Sequence, residues 1–353
     1  MDLPVAPPFV PMLGRLAREL PAGDFLYEPK WDGFRCLVFR GGSEIDLRSR
    51  HGRPLARYFP ELVEGVRALA AHRFMLDGEI VVVTPAGFDF AALLARLHPA
   101  ASRVERLRTE TPAAFIAFDL LALGEDDLLG APFAERRSRL AELLGAAEPP
   151  LFLTPATAER AVARGWLDGF AGGGIDGVVA KHRELRYEPG VRAMVKVKAE
   201  RTADCVVGGF RWLVDRPLPS SLLLGLYDDA GLLEHVGVAA SFTEPQRRRL
   251  LEEITPLVAP LEGHPWENGF LLGGSPLGRL KGAAGRWTPE MERDWVPLSP
   301  VRVCEVAYDQ LDRGRFRHPA RFRRWRPDRA PASCTFEQLE FAAPGFAELL
   351  ALR

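Results

Sequence analysis

The sequence predicts an α+β domain with mostly antiparallel strands, followed by a small all-β barrel. Three observations carry that expectation. Up to about residue 200, strand-like runs mix with amphipathic helical patterns. From Thr202 onward short β segments dominate, with one helix among them. The 353 residues exceed what one compact core usually holds, and the hydrophobic residues, 47% of the chain, are spread along all of it, so two domains follow.

In the first part, Phe34–Arg40 and Glu44–Arg50 flank Gly41-Gly42, a hairpin signal. Leu55 to Ala71 reads as an amphipathic helix, and Phe74–Val83 as a buried strand interrupted by polar residues. A short helix over Phe88–Leu97 and a strand over Ala114–Leu121 come next, then helices over Pro132–Leu144 and Ala156–Phe170. A glycine turn feeds a strand ending at Lys181, and Ala193–Ala199 is a further strand. In the second part, strands over Cys205–Trp212, Ser221–Tyr227, Leu232–Val238 and Arg302–Tyr308, with a helix over Glu244–Ile254, suit a Greek-key barrel such as an OB-fold. Residues 256–298, rich in Gly, Pro and Trp, read as a long loop or insertion. The expected boundaries are 1–200, 201–330 and a docking tail over 331–353.

Composition excludes several classes. No apolar run reaches the roughly 18 residues of a membrane span. The start, MDLPVAPPFVPML, lacks a basic n-region and an apolar stretch, so a cytoplasmic protein is expected. Cys36, Cys205, Cys304 and Cys334 are scattered without a C-x-x-C pair, which argues for buried thiols over a zinc site or disulfides. A net charge of −1 does not announce nucleic acid, so any DNA surface is a local patch.

The cations are uneven in type: 41 arginines and five lysines, Lys30, Lys181, Lys196, Lys198 and Lys281. Arg stays protonated and cannot act as a nucleophile, whereas a Lys amine can. Where Arg is the default, a retained Lys asks for a reason, and four of the five fall in the motifs below.

Glu28-Pro-Lys30-Trp-Asp32-Gly33-Phe-Arg35 places a lysine at a strand end. Alone, K-x-D-G is also a solvated turn. Its functional reading is a nucleophile with Asp32 and Arg35 near bound nucleotide and Gly33 allowing close backbone approach. Arg48-Ser-Arg50 is either a hairpin edge or an arginine presented to phosphate. Leu76-Asp-Gly-Glu79 puts a carboxylate in an otherwise apolar strand, costly unless paired. Phe118 is core or a platform for a base. Asp176-Gly-Val-Val-Ala-Lys181 again sets charges around a buried strand, and a carboxylate there could hold Mg²⁺. Met194-Val-Lys196-Val-Lys198 puts two lysines on one strand face, which repel unless an anion lies between them; a lysine-protected edge strand is the alternative. Between Arg315 and Arg329 seven arginines interleave with Phe and Trp, a pattern that favours phosphate or nucleic-acid contact over a solvated charge run.

Together and in this order, the segments resemble the motifs of the covalent nucleotidyltransferase superfamily of DNA ligases and mRNA-capping enzymes. The stretch from Met194 to Val207, with Arg315-Phe-Arg-His and Arg324-Trp-Arg-Pro-Asp-Arg, looks closest to bacterial LigC-type ATP-dependent DNA ligases, and is similar to the ligase module of bacterial LigD. The resemblance implies a nucleotidyltransferase (adenylation) domain followed by an OB-fold, with ATP and Mg²⁺, or Mn²⁺, as cofactors. It implies that Lys30 takes AMP from ATP, that AMP passes to the 5′-phosphate of a nick in double-stranded DNA, and that the 3′-OH then displaces it. By position it makes Glu79 a ribose contact and a candidate metal ligand, Phe118 the adenine platform and Glu28 a neighbour of the adenine amino group. Arg35 and Arg50 would hold nucleotide or nick phosphate, Lys181 would sit at the nucleotide, Lys196 and Lys198 would grip the α-phosphate, and Asp176 would bind metal. Arg326 would assist attack on ATP when the barrel closes about a hinge near Ala199–Asp204. The resemblance also implies a monomer near the nucleoid, working with repair or end-joining proteins. Two positions depart from the commoner pattern: Asp176 stands where Glu is usual, and Arg329 where Lys is. A capping-type guanylyltransferase shares the architecture and the lysine, and a non-catalytic nucleic-acid-binding module is the reading from another class.

Overall fold

The computed structural model describes residues 2–84, 87–97, 100–169, 175–198, 200–267, 270, 295–309, 311–312, 314–339 and 346–351. The chain divides into two compact units, 1–199 with 341–353, and 200–340.

The first unit holds strands β1 (Gly14–Ala17), β2 (Phe25–Trp31), β3 (Phe34–Gly41), β4 (Glu44–Ser49), β5 (Arg73–Thr84), β6 (Gly87–Phe88), β7 (Ala113–Leu123), β8 (Asp126–Asp127), β9 (Leu151–Leu153), β10 (Ile175–His182) and β11 (Met194–Lys198). Its helices are α1 (Pro60–Ala68), α2 (Phe90–Arg96), α3 (Ala101–Glu110), α4 (Phe133–Leu144) and α5 (Arg160–Gly169). One sheet runs β1-β11-β10-β2, antiparallel except for β1 beside β11. The other runs β4-β3-β5-β7-β8, with β6 on β5 and β9 parallel to β7.

Strand periodicity sets the layers. On β3, Cys36 and Val38 face the core that α1, α2 and α4 cover, while Leu37 and Phe39 face a second core shared with Met75 and Leu121 of the same sheet and Met194 of the opposite one. Because β3 is buried on both faces, it reads as a continuous apolar run rather than an alternating one. On the far side of the other sheet, Ala163, Trp166 and Leu167 of α5 pack on Val178, Ala180, Val195 and Val197.

Three elements differ from the expectation. The helix expected from Leu55 begins at Pro60, which takes a first-turn position where its missing N–H costs nothing, and Ala56–Tyr58 form a 3-10 turn instead. The helix α3 has only Val104 and Leu107 buried among charged neighbours, too narrow a stripe to stand out in sequence. The Arg-rich segment contains a regular strand, Ala320–Trp325.

The second unit is built from β12 (Arg201–Trp212), β13 (Pro219–Tyr227), β14 (Leu233–Ala240), α6 (Glu244–Ile254), β15 (Val296–Pro297), β16 (Val303–Tyr308), β17 (Leu311–Asp312), β18 (Arg315–Phe316) and β19 (Ala320–Trp325). Strands pair β12-β13-β14-β19-β16 and back to β12, closing a five-stranded barrel with α6 between its third and fourth strands in sequence. This is the OB-fold arrangement. Thr243 and Gln246 form a capping box that starts α6. The aromatics of the Arg-rich run serve this barrel: Phe316 is core, and Phe322 and Trp325 pack against it.

Cys205, Cys304 and Cys334 are buried in the barrel core, and Cys36 in the first unit, all as free thiols. Within 256–298, residues 268, 269 and 271–294, and with them Lys281, lie outside the described residues, as does Ala199 at the expected hinge. Arg201–Asp204 of that expected hinge belong to β12. Residues 331–339 pack in the second unit, where Gln338 and Asp204 exchange hydrogen bonds with each other's side chain and backbone. A further helix of the first unit, α7 (Phe346–Leu350), follows them. No helix among the described residues is long and apolar enough to cross a membrane.

Candidate functional site

A cavity of about 290 Å³ in the first unit lies between its two sheets. Leu13, Gly14, Glu28, Lys30, Val179, Lys181, Met194 and Lys196 line it from one side, and Arg35, Arg50, Glu79 and Phe118 from the other. Asp32, Gly33, Asp176 and Lys198 are not part of this described wall, although each neighbours a residue that is.

Lys30 sits near the end of β2 and donates to Asp176 Oδ2 at 2.6 Å. The register between β2 and β10 slips between Ile175 and Gly177, so Asp176 is the bulged residue opposite the lysine. Gly177 permits that bulge: its φ is +151°, and a β-carbon there would lie 2.1 Å from the Val197 carbonyl oxygen. Lys198 Nζ lies 3.4 Å from the same Asp176 oxygen. Lys196 lines the cavity on the same face of β11, its pKa lowered by burial and then by Lys30, Lys198, Arg50 and Arg192. This concentrates positive charge around a single buried carboxylate, an arrangement whose electrostatics favour an anion such as phosphate.

Glu79 projects from β5. Burial pushes its carboxyl up to about 8, against the pull of Lys30 and Arg35. It accepts the Gly33 N–H at 3.2 Å. The sheet by itself accounts for a glycine here, since a β-carbon at Gly33 would meet the Ile80 carbonyl oxygen at 2.1 Å.

Arg35 is held by a partner that sequence reading passed over. Asp77 is fully buried and accepts from Arg35 Nε at 2.9 Å and Nη2 at 2.6 Å, and from the Tyr187 hydroxyl at 2.6 Å. The Tyr187 oxygen in turn accepts the Met12 N–H at 3.0 Å. Arg35 thereby lies over the Phe118 ring, 5.6 Å from its centroid. Asp77 stands two residues from Glu79 in the quoted motif, and a buried acid in an apolar strand was a usable signal. Tyr187, in a loop, carried none.

The other end of the cavity is built on Lys181, which is 1% exposed. It pairs with Glu28 Oε2 at 2.9 Å, lies 3.6 Å from Asp119, donates to the Phe118 carbonyl at 2.8 Å and sits 4.9 Å from the Phe118 ring centroid. Asp119 is chelated by Arg136 through Nε at 2.7 Å and Nη2 at 3.1 Å. Glu28 Oε1 is buried without a hydrogen-bond partner, Arg137 approaching only to 3.5 Å. Burial raises the Glu28 pKa, with Lys181 and Arg137 opposing. An open acceptor beside an aromatic ring is what an amino-bearing base requires. Arg192 also lines the cavity, between two backbone hydrogen bonds that join Val191 and Met194 to Leu13.

Arg326 belongs to the second unit. Its Nη1 donates to both Asp204 oxygens at 2.9 Å, and its other nitrogens donate to Asp328. The pairing raises the Arg326 pKa and holds Asp328 down to about 2. Other arginines of this segment are engaged inside the same unit: Arg315 donates to the His235 carbonyl at 2.6 Å and 3.1 Å, Arg324 to Glu305 at 2.8 Å, and Arg321 and Arg323 to Glu200. No group of three or more His, Cys, Asp or Glu side chains among the described residues is arranged to hold a metal on its own.

Residues 9–198 match the ATP dependent DNA ligase domain family and residues 215–329 the ATP dependent DNA ligase C terminal region. The chain is 51% identical to DNA ligase C2 of Mycolicibacterium smegmatis over 342 residues, 96% of each chain. It is 49% identical to DNA ligase C of Mycobacterium tuberculosis over 345 residues, again 96% of each. A solved Lig E DNA ligase shares the fold at 17% identity and a TM-score of 0.50, covering 90% of this chain and all of the other. The chain belongs to the family of ATP-dependent DNA ligases.

Proposed function

We propose that this chain seals 5′-phosphate/3′-OH nicks in duplex DNA, with Lys30 as the residue that carries AMP. The observation that carries the reading is the position of Lys30. Lys30 lines the cavity, its amine held by Asp176, in one wall with Glu28, Lys181 and Lys196.

At the base end, the Phe118 ring offers a stacking surface and Glu28 Oε1 an unfilled acceptor. The exocyclic amino group of adenine is a donor that fits it. Guanine carries a carbonyl oxygen at the corresponding position, which a carboxylate repels. Lys196 and Arg50 would balance phosphate charge, and Arg35, paired with Asp77 over the Phe118 ring, would hold the nucleotide beside its base. In the first step the Lys30 Nζ, once its proton has passed to solvent, attacks the α-phosphorus, the N–P bond forms as the bond to the bridging oxygen breaks, and pyrophosphate leaves. The 5′-phosphate of the nick then takes AMP from Lys30, and the 3′-OH displaces AMP from that phosphate. Each step brings anions together, so fixed cations that need no reorganisation supply most of what the protein contributes. Asp176 orients the amine, and Glu79 and Asp32 stand by the sugar side of the site.

A divalent cation, Mg²⁺ or Mn²⁺, fits this donor set. Asp176 and Glu79 would hold it with phosphate and water oxygens, as suits an ion that uses one or two carboxylates beside substrate phosphates. Bound there it would neutralise developing charge on the transferring phosphate. Arg326 would join the site during the attack on ATP, once released from Asp204 and Asp328. We read the chain as a monomer acting in the bacterial cytoplasm at the nucleoid; work beside repair or end-joining proteins is consistent with its 31% identity to a multifunctional non-homologous end joining protein LigD of Mycobacterium bovis, over 90% of this chain and 38% of that one.

Incubation with labelled ATP, GTP or NAD and Mg²⁺, followed by acid quench, tests the reading. ATP alone should leave a covalent label, and a nicked duplex should then be sealed. Label from GTP alone would sink the ligase reading in favour of a guanylyltransferase, and no label from any donor would favour a non-catalytic binding module.

A further inference from the structure

We propose that the helix α7 positions the adenylylation centre by anchoring the two residues that flank the Lys30–Asp176 pair. Although α7 follows the second unit in sequence, it belongs to the first. Leu349 is fully buried in a cluster with Trp31, Val81, Ala114, Ile116 and Ile175. The Phe346 ring meets Trp31 at 6.5 Å, Phe88 at 5.7 Å and Phe152 at 5.1 Å, each edge to face.

Two members of that cluster matter for chemistry. Trp31 directly follows Lys30, and Ile175 directly precedes Asp176. They are register partners across β2 and β10, at the point where the bulge begins. Asp176 therefore hangs between two fixed points: Gly177, pressed against the Val197 carbonyl on one side, and Ile175, packed under Leu349, on the other. Trp31 is fixed at its indole nitrogen as well, which donates to Thr154 Oγ1 at 2.8 Å. A bulge re-aims a side chain only as well as its flanks are held. A five-residue helix is marginal by itself, so α7 owes its form to this packing and returns it as constraint on Trp31 and Ile175. No atom of α7 lines the cavity, so its role is positioning.

The inference rests on Lys30 being the adenylylated residue, and the experiment separates the two. Full-length wild type, Leu349→Asp, Phe346→Ala and the exposed-face control Glu348→Ala are compared by single-turnover adenylylation from ATP, with the adduct mapped by peptide mass. An adduct on another residue in wild type overturns the reading of Lys30. With the adduct on Lys30, Leu349→Asp and Phe346→Ala should slow adenylylation about 10- to 100-fold, the scale of a misplacement of about an ångström. The KM for ATP should move by less than about threefold, as expected when a positioning element rather than uniform binding is lost. Glu348→Ala should match wild type, and Leu349→Met should restore the rate. Each variant is then combined with Asp176→Asn. If α7 acts through the pair, the second change adds little to the first. Unchanged rates, or losses that multiply with Asp176→Asn and track a fall in melting temperature, overturn the proposal. Should Leu349→Asp fail to fold, Leu349→Ala and Phe346→Ala carry the same comparison.

Discussion

Lys30 Nζ and Asp176 Oδ2 lie 2.6 Å apart, joined across the β-bulge between β2 and β10. The aspartate is 6% exposed and the lysine 24%, and Lys198 shares the same oxygen at 3.4 Å. One carboxylate thus balances two ammonium groups, and the shorter Asp side chain reaches because the bulge brings its backbone forward. Replacing Asp176 by Asn removes the charge and keeps the shape. Adenylylation of Lys30 should slow by about 10- to 100-fold, because the amine loses its orientation. Stability should change by no more than about 1 kcal/mol, since both lysines are partly solvated. Single-turnover labelling and a denaturant melt measure the two effects separately.

Glu79 gives a pH signature. Its carboxyl titrates near 8 in the folded protein, above the usual 4.5. Between those values the folded state binds a proton that the unfolded state does not, so this group's contribution to stability is full below pH 4.5 and is lost as pH rises towards 8. Glu79→Gln keeps an oxygen for the Gly33 N–H and removes the titration. The nucleotide-free variant should therefore be more thermostable than wild type, by a margin that grows from pH 5 to 8 and then levels off. Melting temperatures across that range test it; a margin independent of pH contradicts it. Adenylylation by the same variant should fall.

Asp77, Arg35 and Tyr187 form one buried network, and the cost of breaking it should be unequal. Asp77→Ala strands the Arg35 guanidinium and should destabilise by about 3–5 kcal/mol. Tyr187→Phe removes the hydrogen bond to the Asp77 carboxylate and leaves the buried Met12 N–H without its acceptor, and should cost about 2–3 kcal/mol. The double variant should fall well short of the sum, because both act on the same carboxylate. Urea melts of the three proteins decide this.

Glu28 should govern donor choice. Glu28→Gln replaces the open carboxylate by an amide that can turn its NH₂ towards a guanine carbonyl. Labelling by ATP should weaken by about tenfold or more, the scale of a lost hydrogen bond to a charged group, while the discrimination against GTP narrows. A variant that labels from ATP as fast as wild type would place the base elsewhere.

Gly33→Ala separates packing from ligand contact. The added carbon would lie 2.1 Å from the Ile80 carbonyl oxygen, a backbone atom that cannot swing aside. A loss of about 1–3 kcal/mol is expected without nucleotide present. Equal stability with a weakened ATP interaction would mean that the glycine serves the ligand instead.

Much of the site was legible because strand periodicity is short. Lys196 and Lys198 fall on one face by alternation alone, and Lys30, Glu79 and Phe118 each stand in a strand whose polar residues interrupt an apolar run. The OB-type barrel was legible from its short strands and single helix. What escaped depended on contacts distant in sequence. Tyr187 reaches Asp77 across 110 positions, and nothing beside it announces that bond. The docking of Leu349 beside Trp31 and Ile175 is a meeting of apolar residues with no local mark. The Arg-rich segment showed the opposite effect: its interleaved Phe and Trp pointed to phosphate or nucleic-acid contact, but strand β19 and its neighbours pack them on the barrel core while Arg324 and Arg326 pair with acids nearby.

The most direct measurement is the mass and position of the adduct formed with ATP and a divalent cation. The account predicts a single added AMP on Lys30, acid-stable and resistant to hydroxylamine as a phosphoramide should be. It predicts no adduct and no sealing of a nicked duplex in Lys30→Ala or Lys30→Arg, while both variants remain folded. An AMP adduct of equal yield in Lys30→Ala, or one mapped to Lys181, Lys196 or Lys198 in the wild-type chain, would contradict it.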